Sequence, residues 1–370
     1  MKTFYSTIIF IIVSVFCLNT EASERDRKGK YTRDKVLKNQ YEVNSKFSLE
    51  VDNTFGEIKV ETWDKNEVSY RIEVISNGDD LSEVQDRLDE ISIELLESKN
   101  RLSLETRLGN QGSKNRTFTG FVKDLFSGNM KNKTSHIEIN YLIYVPKQTN
   151  LNLQNDYGYI YLGEIKGNTK INSAYGGLIA HALLSNSNDI YLDYASKSEI
   201  THLRRGNVNI NYSTLLLHHV GALKLQADYC TTKIDSANTI DFSVDYGSLG
   251  LGKVKYVTGS CDYVQVKVEE VVSEFKLNMA YGGLKINRIQ SNFDIVDVQS
   301  DYATVKLGVE NKEAFKINID TDYASLKGIN TYHTIEKSEG RYIGYNKSYE
   351  TSNEIRVSAD YGSVYLFSAE

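Results

Sequence analysis

The chain has 370 residues, 40% of them hydrophobic and 25% charged, the balance of a folded chain rather than a disordered one. Basic residues number 43 against 49 acidic, a net charge of −6, so no broad basic surface and no nucleic-acid partner is expected. At about 150 residues per domain there is room for two or three domains. The single proline, Pro146, excludes a proline-rich linker, and tyrosine is the outlier, with 26 copies against 13 Phe and 1 Trp.

Lys2 precedes an apolar run over residues 4–18, followed by Thr20-Glu21-Ala22. A charged start, a short apolar middle and a small-x-small end predict a signal peptide over residues 1–22, cut after Ala22. An uncleaved anchor is the alternative. Cys17 raises lipid attachment, but a lipid-modified cysteine follows a small residue and Phe16 stands here. Export leaves the periplasm, the outer-membrane surface and the medium open, and no later run is long enough to span a membrane. The mature chain keeps Cys230 and Cys261, neither a disulfide scaffold nor a CxxC zinc pair.

Residues 23–40 are charged enough to predict a flexible leader. Over residues 41–150 the sequence predicts a first rung of a repeat plus an N-terminal cap. Leu49, Val51, Asn53, Phe55, Ile58 and Val60 alternate about Phe55-Gly56, and residues 68–75 alternate as a strand. DDLSEVQDRLDEI places Leu81, Val84, Leu88 and Ile91 on one helical face. ISIELLESKNRLSLETRL predicts a hairpin around Lys99-Asn100. Residues 109–134, rich in Gly, Asn, Lys and Ser, predict a mobile loop.

From residue 151 to 370 a repeat decides the architecture. Tyr157, Tyr175, Tyr194, Tyr212, Tyr229, Tyr246, Tyr263, Tyr281, Tyr302, Tyr323 and Tyr361 recur every 17–21 residues, except for a last interval of 38. That period is too short for ankyrin, tetratricopeptide or propeller units and fits one turn of a β-solenoid. Four residues before each tyrosine stands an apolar residue, Gly259 excepted, and further apolar columns stand three and five residues after it. The alternation shifts by one residue at the Gly, Ala or Ser after the tyrosine, so each repeat is strand, corner, strand, turn. Lys197 and Glu199 fall in apolar slots with Ile200 one place late, which predicts a bulge. The last interval predicts a rung carrying a polar surface loop at 337–353.

The tyrosines share parity with the apolar column before them, so their rings are expected to stack inside the core, with small residues such as Ser173, Ala227, Cys261, Ser300 and Ala359 leaving room. The alternative is an exposed aromatic platform for sugars. The preceding residue is Asp in eight of eleven repeats and is expected to face outward. It would be held by an Asx-type bond and solvation; a calcium row is the sharper alternative, and no second acidic column supplies its ligands.

The run NTFGEIKVETWDKNEV, then YLIYVP, then serial xYGxLxL rungs resembles the bacterial candidate-adhesin β-solenoids, related to auto-transporter adhesin heads of the Gly-Ile-Asn type, over residues 45–370. That resemblance implies an all-β, single-chain, right-handed β-helix and carries over no binding residue.

The six histidines make no obvious site. His181 and His218 sit two rungs apart, and His218-His219 point to opposite strand faces. No GxSxG, HExxH, P-loop or dinucleotide fingerprint occurs. Polysaccharide cleavage is the enzyme alternative, resting on the Asp row and on Lys233, Lys267, Lys285, Lys306 and Lys327; such rows more often solubilise. The sequence thus predicts no catalytic, cofactor-binding or metal residue and no cofactor. It points to a non-enzymatic binding protein of the cell envelope with a glycan or an envelope protein as partner.

Overall fold

The computed structural model describes residues 29–109 and 135–369. The predicted signal peptide and nearly all of the 109–134 loop lie outside the described residues. Two compact units divide after Pro146.

The first contains β1 (Tyr31–Glu42), β2 (Ser48–Phe55), β3 (Ile58–Trp63), β4 (Glu67–Gly78), α1 (Leu81–Glu90), β5 (Ile91–Glu97), β6 (Arg101–Leu108) and β7 (Ser135–Pro146). β4 lies antiparallel to both β1 and β7, β5 and β6 form the predicted hairpin, and β2 and β3 run parallel to β6 and β7. The flexible leader is corrected over 31–40. These residues form most of β1, paired with β4 from Tyr31–Gly78 to Glu42–Glu67. A dense run of charge suits a strand with one solvated face as well as it suits a flexible tail. Lys35 is also recruited, since its ammonium donates to the Leu88 and Ile91 carbonyls at the end of α1, 2.6 and 2.5 Å away. α1 starts where Asp80 accepts from the amides of Ser82 and Glu83, and it buries Val84 and Leu88.

The second unit is the solenoid. β8 (Asn150–Tyr157), β9 (Tyr159–Ile165), β10 (Thr169–Ala174), β11 (Gly177–Leu183), β12 (Asn188–Asp193) and β13 (Ser198–Asn211) lead into β14 (Thr214–Ile289). This 76-residue strand runs through several corners without losing its ladder. Rung stacks on rung in parallel register, Ile171 beside Leu153 and Ile190, Leu178 beside Ile160. The apolar columns are the core: from Leu153 to Val357 the position four before the tyrosine is at most 3% exposed wherever it is apolar. Gly259 is explained by its neighbour. A Cβ there would meet the Phe242 ring at 2.4 Å, so the large ring of one rung fills the space of the next. The predicted bulge is present, with Lys197 at φ 55° and Ser198 and Ile200 buried.

The far end departs from expectation. β15 (Ile295–Val309), β16 (Phe315–Lys327), β17 (His333–Ser338), β18 (Arg341–Asn346) and β19 (Glu354–Ser368) complete the chain. Of the polar loop predicted over 337–353, residues 347–353 are irregular, while the earlier part belongs to an antiparallel hairpin of β17 and β18, and β18 pairs with β16. β19 then returns between β15 and β16, parallel to both. Spatial order therefore differs from chain order: the rung of Tyr361 lies between those of Tyr302 and Tyr323. A strictly local reading of spacing cannot reveal such a crossover.

Candidate functional site

The tyrosine column does not point inward. Ten of the eleven, from Tyr175 to Tyr361, have φ of 47–56°, and their exposures are 41–56%, with Tyr323 at 79%. The expectation of a buried ladder is corrected, and the reason lies in the backbone. A residue in the left-handed region breaks the pleat, so Asp and Tyr project outward in succession and alternation resumes with the next side chain inward. That next residue is small or buried, as with Ala195, Ser213, Cys230, Val264 and Ala303. The parity shift thus sits on the tyrosine itself and not on the residue after it.

Phe55 supplies the internal contrast. There the positive φ, 100°, falls on Gly56, and the Phe55 ring is buried at 7% exposure. Tyr157, where the positive φ also falls on the following glycine, Gly158, nonetheless stacks on Tyr175 in the ladder, so the glycine alone does not set the direction of the ring.

Outward rings still stack. Ring centroids from Tyr157 to Tyr323 follow one another at 4.7–5.2 Å with interplanar angles of 1–11°. Ten such steps make a ladder about 50 Å long at β-rung spacing. The phenols of Tyr212, Tyr246 and Tyr302 are pushed above their ordinary range by desolvation first, then by neighbouring phenols and aspartates. They remain neutral hydroxyls at pH 7, able to donate and accept.

The Asp row is outward, as predicted, with Asp193, Asp245, Asp262, Asp301, Asp322 and Asp360 exposed. Beside it runs a column of polar side chains three residues before the tyrosine, where the Asn209 amide donates to Gln226 at 3.1 Å. Sequence reasoning missed this ridge as a unit. The available signal was that inward small residues stand on both sides of the Asp-Tyr pair, a corner too tight for a ring.

The histidines group differently from the sequence pairing. His202 stacks on His219 at 5.0 Å and meets His181 edge-on at 6.0 Å. His218 lies apart from them in its partners: it is gripped between Glu199 (2.9 Å) and Asp235 (2.7 Å), whose side-chain bonds raise its pKa, and Lys233 in turn holds Asp235 at 2.9 Å. Lys267 likewise pairs with Glu269. Among the described residues no group of three His, Cys, Asp or Glu side chains is placed to hold a metal ion. Cys230 and Cys261 are free and buried, and burial pushes the Cys261 thiol up to about 12. No helix among the described residues is long and apolar enough to cross a membrane.

No family model matches the chain, and no curated protein sequence matches it. Three crystal structures are similar at low identity. A candidate cell adhesion protein of Clostridium sporogenes is 11% identical, covering 90% of this chain and 99% of its own, with a TM-score of 0.19. A candidate adhesin of Parabacteroides distasonis is 12% identical over 77% and 98%, with a TM-score of 0.38. Another from Bacteroides fragilis is 9% identical over 90% and 97%, with a TM-score of 0.23. Likeness at this level carries no functional argument. On its own geometry the second unit of the chain is an all-β solenoid that presents a ridge of stacked phenols and carboxylates.

Proposed function

We propose that this chain is an exported, non-enzymatic, adhesin-like binding protein of the cell envelope that lays an extended glycan along the tyrosine–aspartate ridge. One observation carries the reading: ten tyrosines hold a left-handed backbone with their rings outside. A non-glycine residue in that conformation costs about 1–2 kcal/mol, and a corner needing only the turn would take Gly or Asn more cheaply. Each ring contact returns about 0.5–1.5 kcal/mol, which offsets the strain without clearly exceeding it. What tyrosine adds beyond the turn is a row of outward phenols. Strain of this kind, repeated at surface positions, is a sign of use.

The polar groups of the ridge recur rung after rung instead of converging on one point, which suits many weak, equivalent contacts better than a reaction centre. Export is part of the proposal and rests on the pattern of residues 1–22; mass spectrometry of the secreted chain should find it beginning at Ser23. The binding test compares the mature protein with a variant carrying Tyr212, Tyr229, Tyr246 and Tyr263→Asn, which tolerates the same backbone. Co-sedimentation with insoluble glycans should weaken about tenfold while circular dichroism stays unchanged. Unaltered binding would remove the ridge from the mechanism. Absence of glycan binding, together with capture of one defined envelope protein, would replace the glycan reading by a docking role.

A further inference from the structure

Every ladder position carries tyrosine, and no Phe, Trp or His replaces it in any rung. Stacking alone would accept those rings as well. What a phenol adds to a stack is one-electron chemistry, because it can give up an electron together with its hydroxyl proton. The surroundings suit that loss. Rings 4.7–5.2 Å apart and within 1–11° of parallel hold the like carbons of neighbouring phenols at nearly one spacing. Asp193 and Asp228 act electrostatically on the Tyr212 hydroxyl, Asp228 and Asp262 on that of Tyr246, and Asp301 on that of Tyr302. Carboxylates therefore stand ready to take the proton. The second unit offers an oxidant little else. The single tryptophan, Trp63, belongs to the first unit, and Met279, Cys230 and Cys261 are only 5%, 2% and 4% exposed.

We infer that the ladder is a modification site, at which a one-electron oxidant of the peroxidase or photo-oxidised metal-complex class joins tyrosines of neighbouring rungs as dityrosine. Each phenol passes one electron to the oxidant and its hydroxyl proton to a carboxylate or water, leaving a phenoxyl radical. Where two radicals stand on adjacent rungs, a carbon–carbon bond forms between their ortho positions. Each ring then regains aromaticity by moving its ortho C–H proton to its own oxygen. The sum per link is two electrons and two protons lost, with two equivalents of oxidant reduced. Half-exposed rings have the freedom to tip together that close-packed core rings lack. Stacking order, not chain order, decides which pairs join. Tyr361 lies 4.8 Å from Tyr302 and 5.2 Å from Tyr323, between the two. Links there would staple β19 to both β15 and β16, the strands it separates. None of this depends on the glycan reading above.

The test oxidises the dilute mature protein with light, tris(bipyridyl)ruthenium and persulfate, in buffer and in urea, and maps dityrosine by peptide mass spectrometry. In buffer the product should remain a monomer and lose the mass of two hydrogens per link. Its links should join rung neighbours, Tyr302 with Tyr361 and Tyr361 with Tyr323 included, and Tyr302 with Tyr323 absent. In urea that pattern should be lost. A variant carrying Tyr175, Tyr212, Tyr246, Tyr281 and Tyr361→Phe keeps every ring but no adjacent phenols. Its ladder links should disappear, leaving as background only the off-ladder pairs Tyr159 with Tyr161 and Tyr345 with Tyr349, while circular dichroism verifies the fold. Links formed mainly between molecules, a map unchanged by urea, or Tyr302 joined to Tyr323 as often as to Tyr361 would overturn the assignment. So would oxygen addition to the ladder rings without coupling. Should the variant misfold, the native and urea maps of the parent chain decide alone.

Discussion

Replacing Tyr246 by Gly and by Ala tests the left-handed corner directly. Tyr246 touches Tyr229 at 4.7 Å and Tyr263 at 5.0 Å, both within 2° of parallel. Either substitution removes two ring contacts, about 1–3 kcal/mol together beyond the area they bury. The two differ in backbone. At φ 51° alanine keeps a strain of about 1–2 kcal/mol that glycine does not feel. Glycine gives back about 0.5–1 kcal/mol through the entropy of its unfolded chain. The glycine variant should thus be the more stable by about 0.5–1 kcal/mol, the reverse of ordinary strand behaviour. Ser243, exposed three residues earlier on the same strand, is the control, and there Gly should be the less stable. Urea unfolding followed by far-ultraviolet circular dichroism reads both pairs as shifts of midpoint at constant slope. If Tyr246→Ala proves as stable as Tyr246→Gly, or more so, the corner geometry, and the strain argument built on it, is wrong.

Other consequences are as direct. Gly282→Ala should destabilise by about 2 kcal/mol or more, because the new Cβ would lie 2.2 Å from the Val264 carbonyl oxygen of the neighbouring rung; thermal unfolding checks it. His218, raised by Glu199 and Asp235, should titrate above its ordinary 6.5 in an NMR pH series. Its stabilising contribution is then full below about pH 6.5 and lost as pH rises through the folded-state value, and His218→Gln should flatten that part of the stability profile. Cys230 and Cys261, both buried with raised pKa values, should resist a thiol reagent until urea unfolds the chain; rapid native labelling of both would contradict their inward placement.

Much of this was legible in the residues. The tyrosine period and the flanking apolar columns give the solenoid, because burial at a pleat period of two leaves a direct trace in sequence. The direction of the tyrosines was not legible. It goes with the tyrosine itself taking the left-handed conformation, which no residue pattern announces, since glycine follows the buried Phe55 and the exposed Tyr246 and Tyr361 alike. The strand over 31–40 was hidden because composition does not distinguish a solvated strand from a tail. The Asp–Tyr ridge became a unit only once the left-handed tyrosines turned both side chains of each pair outward and rung stacking set the rings in one file.

The return of β19 between β15 and β16 bears on how the molecule is made. A solenoid whose rungs follow chain order can grow on the ribosome by templating each turn on the last. Here the turn of Tyr323 cannot rest on its final neighbour until residues 354–368 have emerged, and until then β15 and β16 face each other across an empty lane. The last strand therefore acts as a keystone, joining the hairpin end to the long stack in one late, non-local step. Loosening that strand should free the end as a block and leave the earlier rungs standing.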